Sequence, residues 1–219
     1  NFEETEGHLE ATAGNYSMQR VSGSLSGPIA NTFAYRVAGS FHERNGYLEN
    51  LAGPDLNDAD EWNVVGKLQW EPNDELSVLL KASRVERDMN CCSPDSVHDP
   101  IADQAIIARG QPPLGNDPYD HVTSQNTPSP FEQESTAASV HIDYDAGWGT
   151  IESISAWDDY DLESSQEASR SVLDLTFLSQ PQSGDSFSQE LRFSNSTDNI
   201  DYMAGLYYFT QETSEFEGK

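Results

Sequence analysis

Five histidines, two cysteines and 38 acidic residues are the raw material for chemistry in this chain of 219 residues. Metal or nucleophilic chemistry is legible in a sequence where such groups recur at short, defined spacings. His8, His42, His98, His121 and His141 are instead scattered, and none opens a short metal-ligand motif. The densest run is Asp88, Cys91, Cys92, Asp95, His98, Asp99 and Asp103. Thiolates there would favour zinc or copper over calcium. Yet Cys91 and Cys92 are adjacent, unlike the spaced cysteines of a zinc ribbon. The simpler reading is a solvated loop with no metal, holding either free thiols or a local Cys91–Cys92 disulfide. Such a bridge is strained, because ordinary disulfides hold their Cα atoms farther apart than one peptide allows. Acids are so abundant that close pairs arise by chance, and none is spaced distinctively for general acid–base work. No glycine-rich phosphate loop is present; Gly23, Gly27 and Gly39 fall in strands or turns. The expectation is a chain with no catalytic residue and no cofactor, and hence not an enzyme.

Binding is the better prospect. Asp117, Tyr119, Asp120 and His121 sit in the same long polar stretch, and loops are where ligand contacts concentrate. The balance of 11 basic to 38 acidic residues gives a formal net charge of −27. Such a surface repels phosphate backbones, which excludes nucleic acid as a partner. It suits cationic or metal-bearing ligands, and equally a solvated surface bathed in salt, which is the simpler account.

The elements that must position these residues are strands. In Trp62 to Trp70 one face carries Trp62, Val64, Gly66, Leu68 and Trp70, and the other Asn63, Val65, Lys67 and Gln69. After the turn signal Glu71-Pro72-Asn73-Asp74 the alternation resumes, with Leu76, Val78, Leu80 and Ala82 against Ser77, Leu79, Lys81 and Ser83. The same pattern recurs through Phe33–Phe41, Ala138–Tyr144, Phe187–Phe193 and Ile200–Tyr208. Nine strands are predicted, at about 3–13, 16–27, 32–43, 61–71, 75–86, 134–145, 149–162, 184–195 and 200–213. One or two helical turns are predicted over Ile101–Arg109. Arg36, Lys67, Lys81, His141, Glu190 and Arg192 fall on the polar faces, where they would line an interior.

Connection lengths carry further information. Short connections are predicted at Gly27-Pro28-Ile29-Ala30, Glu71–Asp74, Asp145–Gly149 and Ser196–Asn199. Long ones lie between them, at about 44–60, 87–133 and 163–183. Beyond a tight first hairpin near Gly14-Asn15-Tyr16, short and long alternate. In an up-and-down antiparallel meander this puts all short turns at one end, the habit of outer-membrane barrels. Trp62, Trp70, Tyr144, Trp148, Trp157, Tyr202, Tyr207, Tyr208 and Phe209 lie near strand ends, as an interfacial girdle would. No apolar run reaches the roughly 18 residues of a membrane helix, and Asn1–Glu6 carries no signal-peptide pattern. The fold expected is therefore all-β, an antiparallel up-and-down meander forming part of a transmembrane barrel. A secreted acidic β-sandwich that binds carbohydrate is the soluble rival, since sandwiches also alternate.

Particular segments resemble the early barrel strands of TonB-dependent receptors. They are Gly14-Asn15-Tyr16 with Arg20–Ile29, Arg36–Gly39 with Asn45–Asn50, Leu56–Asp60 with Leu68–Asp74, Phe187–Phe193, and Tyr202–Phe209. The resemblance spans nearly the whole chain except 87–133. It implies a bacterial outer-membrane transporter for a scarce nutrient, most often a ferric siderophore. Such a barrel has about 22 strands around a plug domain, with energy delivered through TonB. The implied partners are outer-membrane lipid, the plug and TonB through a parent chain, and the ligand. On that reading residues 1–219 are a partial barrel of about nine strands, with 87–133 a long extracellular loop. A passive porin-like barrel is the rival within the membrane class.

Overall fold

The computed structural model describes residues 2–90, 100–110, 119–127, 129–167, 172 and 177–215. Nine long strands occupy β1 (Glu6–Ala13), β2 (Gln19–Ala30), β3 (Phe33–Arg44), β5 (Ala59–Asn73), β6 (Leu76–Asn90), β8 (Pro130–Asp145), β9 (Thr150–Glu167), β11 (Gln182–Ser196) and β12 (Asp201–Glu215). Short pieces fill the connections: β4 (Glu49–Asn50), helix α1 (Pro100–Ala108), β7 (Val122–Thr123) and β10 (Phe177–Ser179). The long strands pair strictly with their sequence neighbours, all antiparallel, in the order β1-β2-β3-β5-β6-β8-β9-β11-β12, with β10 alongside β9. The sheet does not close: β1 and β12 each pair on one side only. This is the all-β meander that the alternation implied.

Pairing partners share a face, so the register sorts every side chain. One continuous row is Val37–Gly66–Ala82–Ala138–Trp157–Phe187, and the next is Tyr35–Leu68–Leu80–Val140–Ser155–Gln189. The opposite face carries Arg36–Lys67–Lys81–Ser139–Ala156–Ser188. The apolar face is uncovered: Leu9 is 77% exposed, Leu80 41% and Leu206 74%. A sandwich would bury these against a second sheet, so the sandwich alternative does not describe this chain. The ladder itself satisfies the backbone of the seven inner long strands, the condition for crossing a layer that offers no water. No described helix is long and apolar enough to span a membrane.

Two expectations need correction. Gly27-Pro28-Ile29-Ala30 is the end of β2 rather than a turn; the turn is at residues 31–32. The β2–β3 register shifts between Pro28 and Ala30. A bulge of this kind accommodates a proline that has no N–H for the ladder. Tyr207 and Phe209 pair with Glu190 and Ser188 on the polar face, whereas Tyr208 pairs with Gln189 on the apolar one. The former two therefore lie outside any aromatic girdle.

Trp157 and Tyr208 stand on the apolar face but mid-strand, in the ladder rows of Gly66 and Leu68, so they too fall outside a girdle at the strand ends. Near the short turns the girdle is clear. Phe33 stacks on Trp70 at 5.7 Å, Trp148 lies 5.2 Å from Phe193, and Phe193 lies 6.0 Å from Tyr202. Toward the other end Trp62 stands on the apolar face and donates from its indole Nε1 to Glu86 at 2.9 Å. The eight residue-to-residue steps from Trp62 to Trp70 span about 26 Å along the strand, or about 20 Å in height at a ~40° tilt, against the ~25 Å apolar band of such barrels. Past Trp62 the same face turns acidic, with Glu86 paired to Glu134, and Asp88 to Glu132.

Candidate ligand site at the long-loop end

The turns at 31–32, 74–75, 146–149 and 197–200 lie at one end of the sheet, and the strand ends joined by the long connections, at 44 and 59, 90 and 130, and 167 and 182, lie at the other. The tightness of the turns has local causes. In the 146–149 turn, Gly147 takes a φ of 76°, where a side chain would be strained. Its N–H donates to Asp145 Oδ1 at 2.8 Å, an Asx turn.

The best-packed part of the described chain is at the long-loop end. Leu48 and Leu56 are fully buried, as are Thr123, Ser124 and Gln125 to within 1%. The connection 45–58 docks on 119–127 through the parallel pair β4–β7, with Glu49 N–H donating to His121 O at 2.8 Å and Leu51 N–H to Thr123 O at 2.9 Å. Asn50 is the clasp. Its Nδ2 donates to Gln125 O at 2.8 Å and to Pro54 O at 3.0 Å, while its Oδ1 accepts from Gln125 N–H at 2.9 Å. Asn50 is itself buried, so these bonds replace lost hydration.

The clasp gathers aromatic and cationic groups. The Tyr47 ring lies edge-on to Tyr16 (centroids 6.4 Å apart) and to the His121 imidazole (6.1 Å), and the Arg44 guanidinium sits 5.1 Å from the Tyr47 centroid. Asn45 N–H donates to Tyr16 O at 2.9 Å, tying the first hairpin to this cluster. His121 has a φ of 58°, the left-handed region that non-glycine residues seldom occupy. Asp120 accepts from Val122 N–H at 3.0 Å, so it shapes the loop, while Tyr119 is 82% exposed. Of the four ligand candidates, His121 thus joins a cluster and Tyr119 and Asp120 flank it. Asp117 lies outside the described residues, as do Cys91 and Cys92. Tyr16, Tyr47 and Arg44 were missed, although loop parity alone puts Tyr16 and Tyr47 at one end.

Below this mouth the polar face is laced with hydrogen bonds and ion pairs. His42 Nδ1 lies 3.1 Å from Glu61 Oε1, and Arg87 Nε 3.2 Å from Glu61 Oε2. Nearer the short turns Arg192 bonds Glu190 Oε1 at 2.6 Å and Glu152 Oε2 at 3.3 Å. Arg36, Lys67 and Lys81 form one unbroken row. Both faces and both ends are thereby differentiated, as in a wall between lipid and a wet interior.

The chain superposes on part of several solved bacterial receptors. The ferric yersiniabactin uptake receptor FyuA from Yersinia pestis matches with a TM-score of 0.71 at 16% identity, over 97% of this chain and 31% of that one. The siderophore receptor PiuA from Acinetobacter baumannii gives 0.68 at 15%, over 96% and 30%. The ferripyoverdine receptor of the outer membrane of Pseudomonas aeruginosa gives 0.59 at 13%, over 96% and 28%. The fold is that of an outer-membrane barrel wall. The chain spans about 30% of the length of the receptors it matches. At these identities the likeness is one of fold; no family model and no curated protein sequence matches the chain.

Proposed function

We propose that this chain is part of the barrel of a bacterial outer-membrane, TonB-energised transporter for a scarce nutrient, with a ferric siderophore as the favoured ligand class, and that it is not an enzyme. The observation that carries the reading is the two-faced wall with all long loops at one end, built on the fold of siderophore receptors. On this reading the apolar face meets outer-membrane lipid, and Arg36, Lys67, Lys81, His141, Glu190 and Arg192 face the lumen or a plug domain of the parent chain. The mouth cluster of Tyr16, Arg44, Tyr47 and His121, with Tyr119 and Asp120 beside it, meets the ligand first, and Asp117 joins the ligand contacts by its place in the sequence alone. Aromatic rings with a guanidinium suit a planar, anionic, metal-bearing chelate. The loops capture and orient; release inward is the work of a plug driven through TonB.

The test is uptake of radiolabelled iron–siderophore complexes by cells expressing the full parent chain as their sole receptor, with and without functional TonB. TonB-dependent accumulation of at least one complex is expected. Accumulation that ignores TonB would make the barrel a passive, porin-like one. Failure with every ferric chelate tried would overturn the ligand class.

A further inference from the structure

Beside the short turns, two adjacent strands bring three metal-ligating side chains together on the polar face. His141 and Asp143 are two residues apart on β8, and Asp143 pairs directly with Glu152 on β9. His141 Nε2 lies 2.8 Å from Glu152 Oε1 and 3.3 Å from Asp143 Oδ1. One donor atom from each residue falls within 4.8 Å of the other two. A first-row divalent ion, with bonds of about 2.0–2.2 Å, separates neighbouring ligand atoms by about 3.0–3.4 Å. The spacing is therefore close to that of a loaded site.

Hydrogen bonding does not account for the arrangement. Nε2 is shut off from solvent and has no hydrogen-bond partner. The Glu152 oxygen is near enough for an ion pair, yet too far off the ring N–H direction to accept a proper bond. Charge points the same way. Asp143, Glu152 and Glu190 bring three negative charges, and Arg192, bonded to both glutamates, brings one positive. Leaving the imidazole aside, these four side chains sum to −2, which one divalent cation cancels. Arg192 contacts Glu152 Oε2 and leaves Oε1 toward the imidazole, the kind of supporting contact that orients a carboxylate ligand.

We infer that His141 Nε2, Asp143 Oδ1 and Glu152 Oε1 form a binding site for a divalent first-row transition cation of the zinc class. One nitrogen and two carboxylate oxygens suit such ions better than copper(I), which prefers thiolates. Three protein ligands leave at least one coordination position open toward the interior, available to water or to a group that occupies it. The scaffold is rigid: two paired strands held by a four-residue turn at 146–149.

The experiment is titration of the full parent chain, purified in detergent, with Zn2+ by calorimetry and with Co2+ by visible absorption. One ion per chain is expected, with a Co2+ spectrum of low coordination number. His141→Gln and Glu152→Gln should each weaken it more than about tenfold, the scale on which even supporting residues of metal sites act. Glu132→Gln, on the acidic stretch of the other face, should leave it unchanged. A readout without substitution is protection of the His141 imidazole from diethylpyrocarbonate by Zn2+, mapped by mass spectrometry. Absence of stoichiometric binding, affinity indifferent to both substitutions, or modification at an undiminished rate under saturating Zn2+ would each overturn the proposal. None of these outcomes bears on TonB-dependent uptake, so the two readings fail separately.

Discussion

At the scale of single residues, the most consequential side chains are those whose neighbours are far away in sequence. Asn50 is one. Truncating it to alanine removes its bonds to Gln125 and strands buried backbone groups there, at a cost of about 1–3 kcal/mol per unsatisfied group. Because that cost falls on a loop pair, Asn50→Ala should speed amide exchange in 45–58 and 119–127 while β5 and β6 exchange as before. Equal acceleration throughout the sheet would contradict a local clasp. Tyr47 is another. Tyr47→Ala removes the ring on which Tyr16, His121 and Arg44 converge. If this cluster meets the ligand, affinity for the ferric chelate should fall about two- to thirteenfold, the worth of an aromatic contact of about 0.5–1.5 kcal/mol. Intrinsic-fluorescence titration of the parent chain measures it, and unchanged affinity would remove Tyr47 from the site.

At the scale of elements, each inner strand has one mainly apolar side and one mainly polar side. Leu80 stands mid-row between Leu68 and Val140 on the apolar face, while Lys81 beside it faces the other way, between Lys67 and Ser139. Leu80→Arg should therefore lower unfolding stability in bilayers by about 2–4 kcal/mol, and Lys81→Gln by under about 1 kcal/mol. Urea titration of the refolded barrel reads both, and equal costs would contradict the assignment of faces. Alternation also explains how much of these elements was legible. All nine long strands were visible in it, but their far ends were not: β6 runs to Asn90, β8 starts at Pro130 and β9 reaches Glu167. There Glu86 and Asp88 point one way and Arg87 the other. With charge on both faces the apolar period vanishes, although the ladder continues.

At the scale of the molecule, the described residues form no ordinary core. The buried apolar residues among those described are Ala34, Leu48, Leu56, Ala59, Ile106 and Val172, mostly in or beside loops. Apolar burial by the protein alone cannot hold such a sheet together, and two open edges invite pairing with other chains. Residues 1–219 in plain buffer should therefore precipitate or associate, and give β-rich circular dichroism as a dispersed species only in detergent. A monomer that melts cooperatively in buffer would show the apolar face to be covered by something other than lipid.

What the sequence determined alone is what period and parity encode. Side-chain alternation states which face is apolar, and connection length states which end holds the loops, because both are properties of neighbours along the chain. The same local reading pointed to His121 as a ligand candidate and placed His141 on the polar face. It did not join His121 to Tyr16, Arg44 and Tyr47, nor Leu48 to Leu56, nor Asn50 to Gln125, nor His141 to Glu152. Those contacts depend on strand register and on two loops folding over one another. Register is set by the hydrogen-bond ladder acting across the sheet, and loop docking by the burial of two leucines and one asparagine. Neither leaves a periodic trace in the chain, so only the tertiary structure decided them.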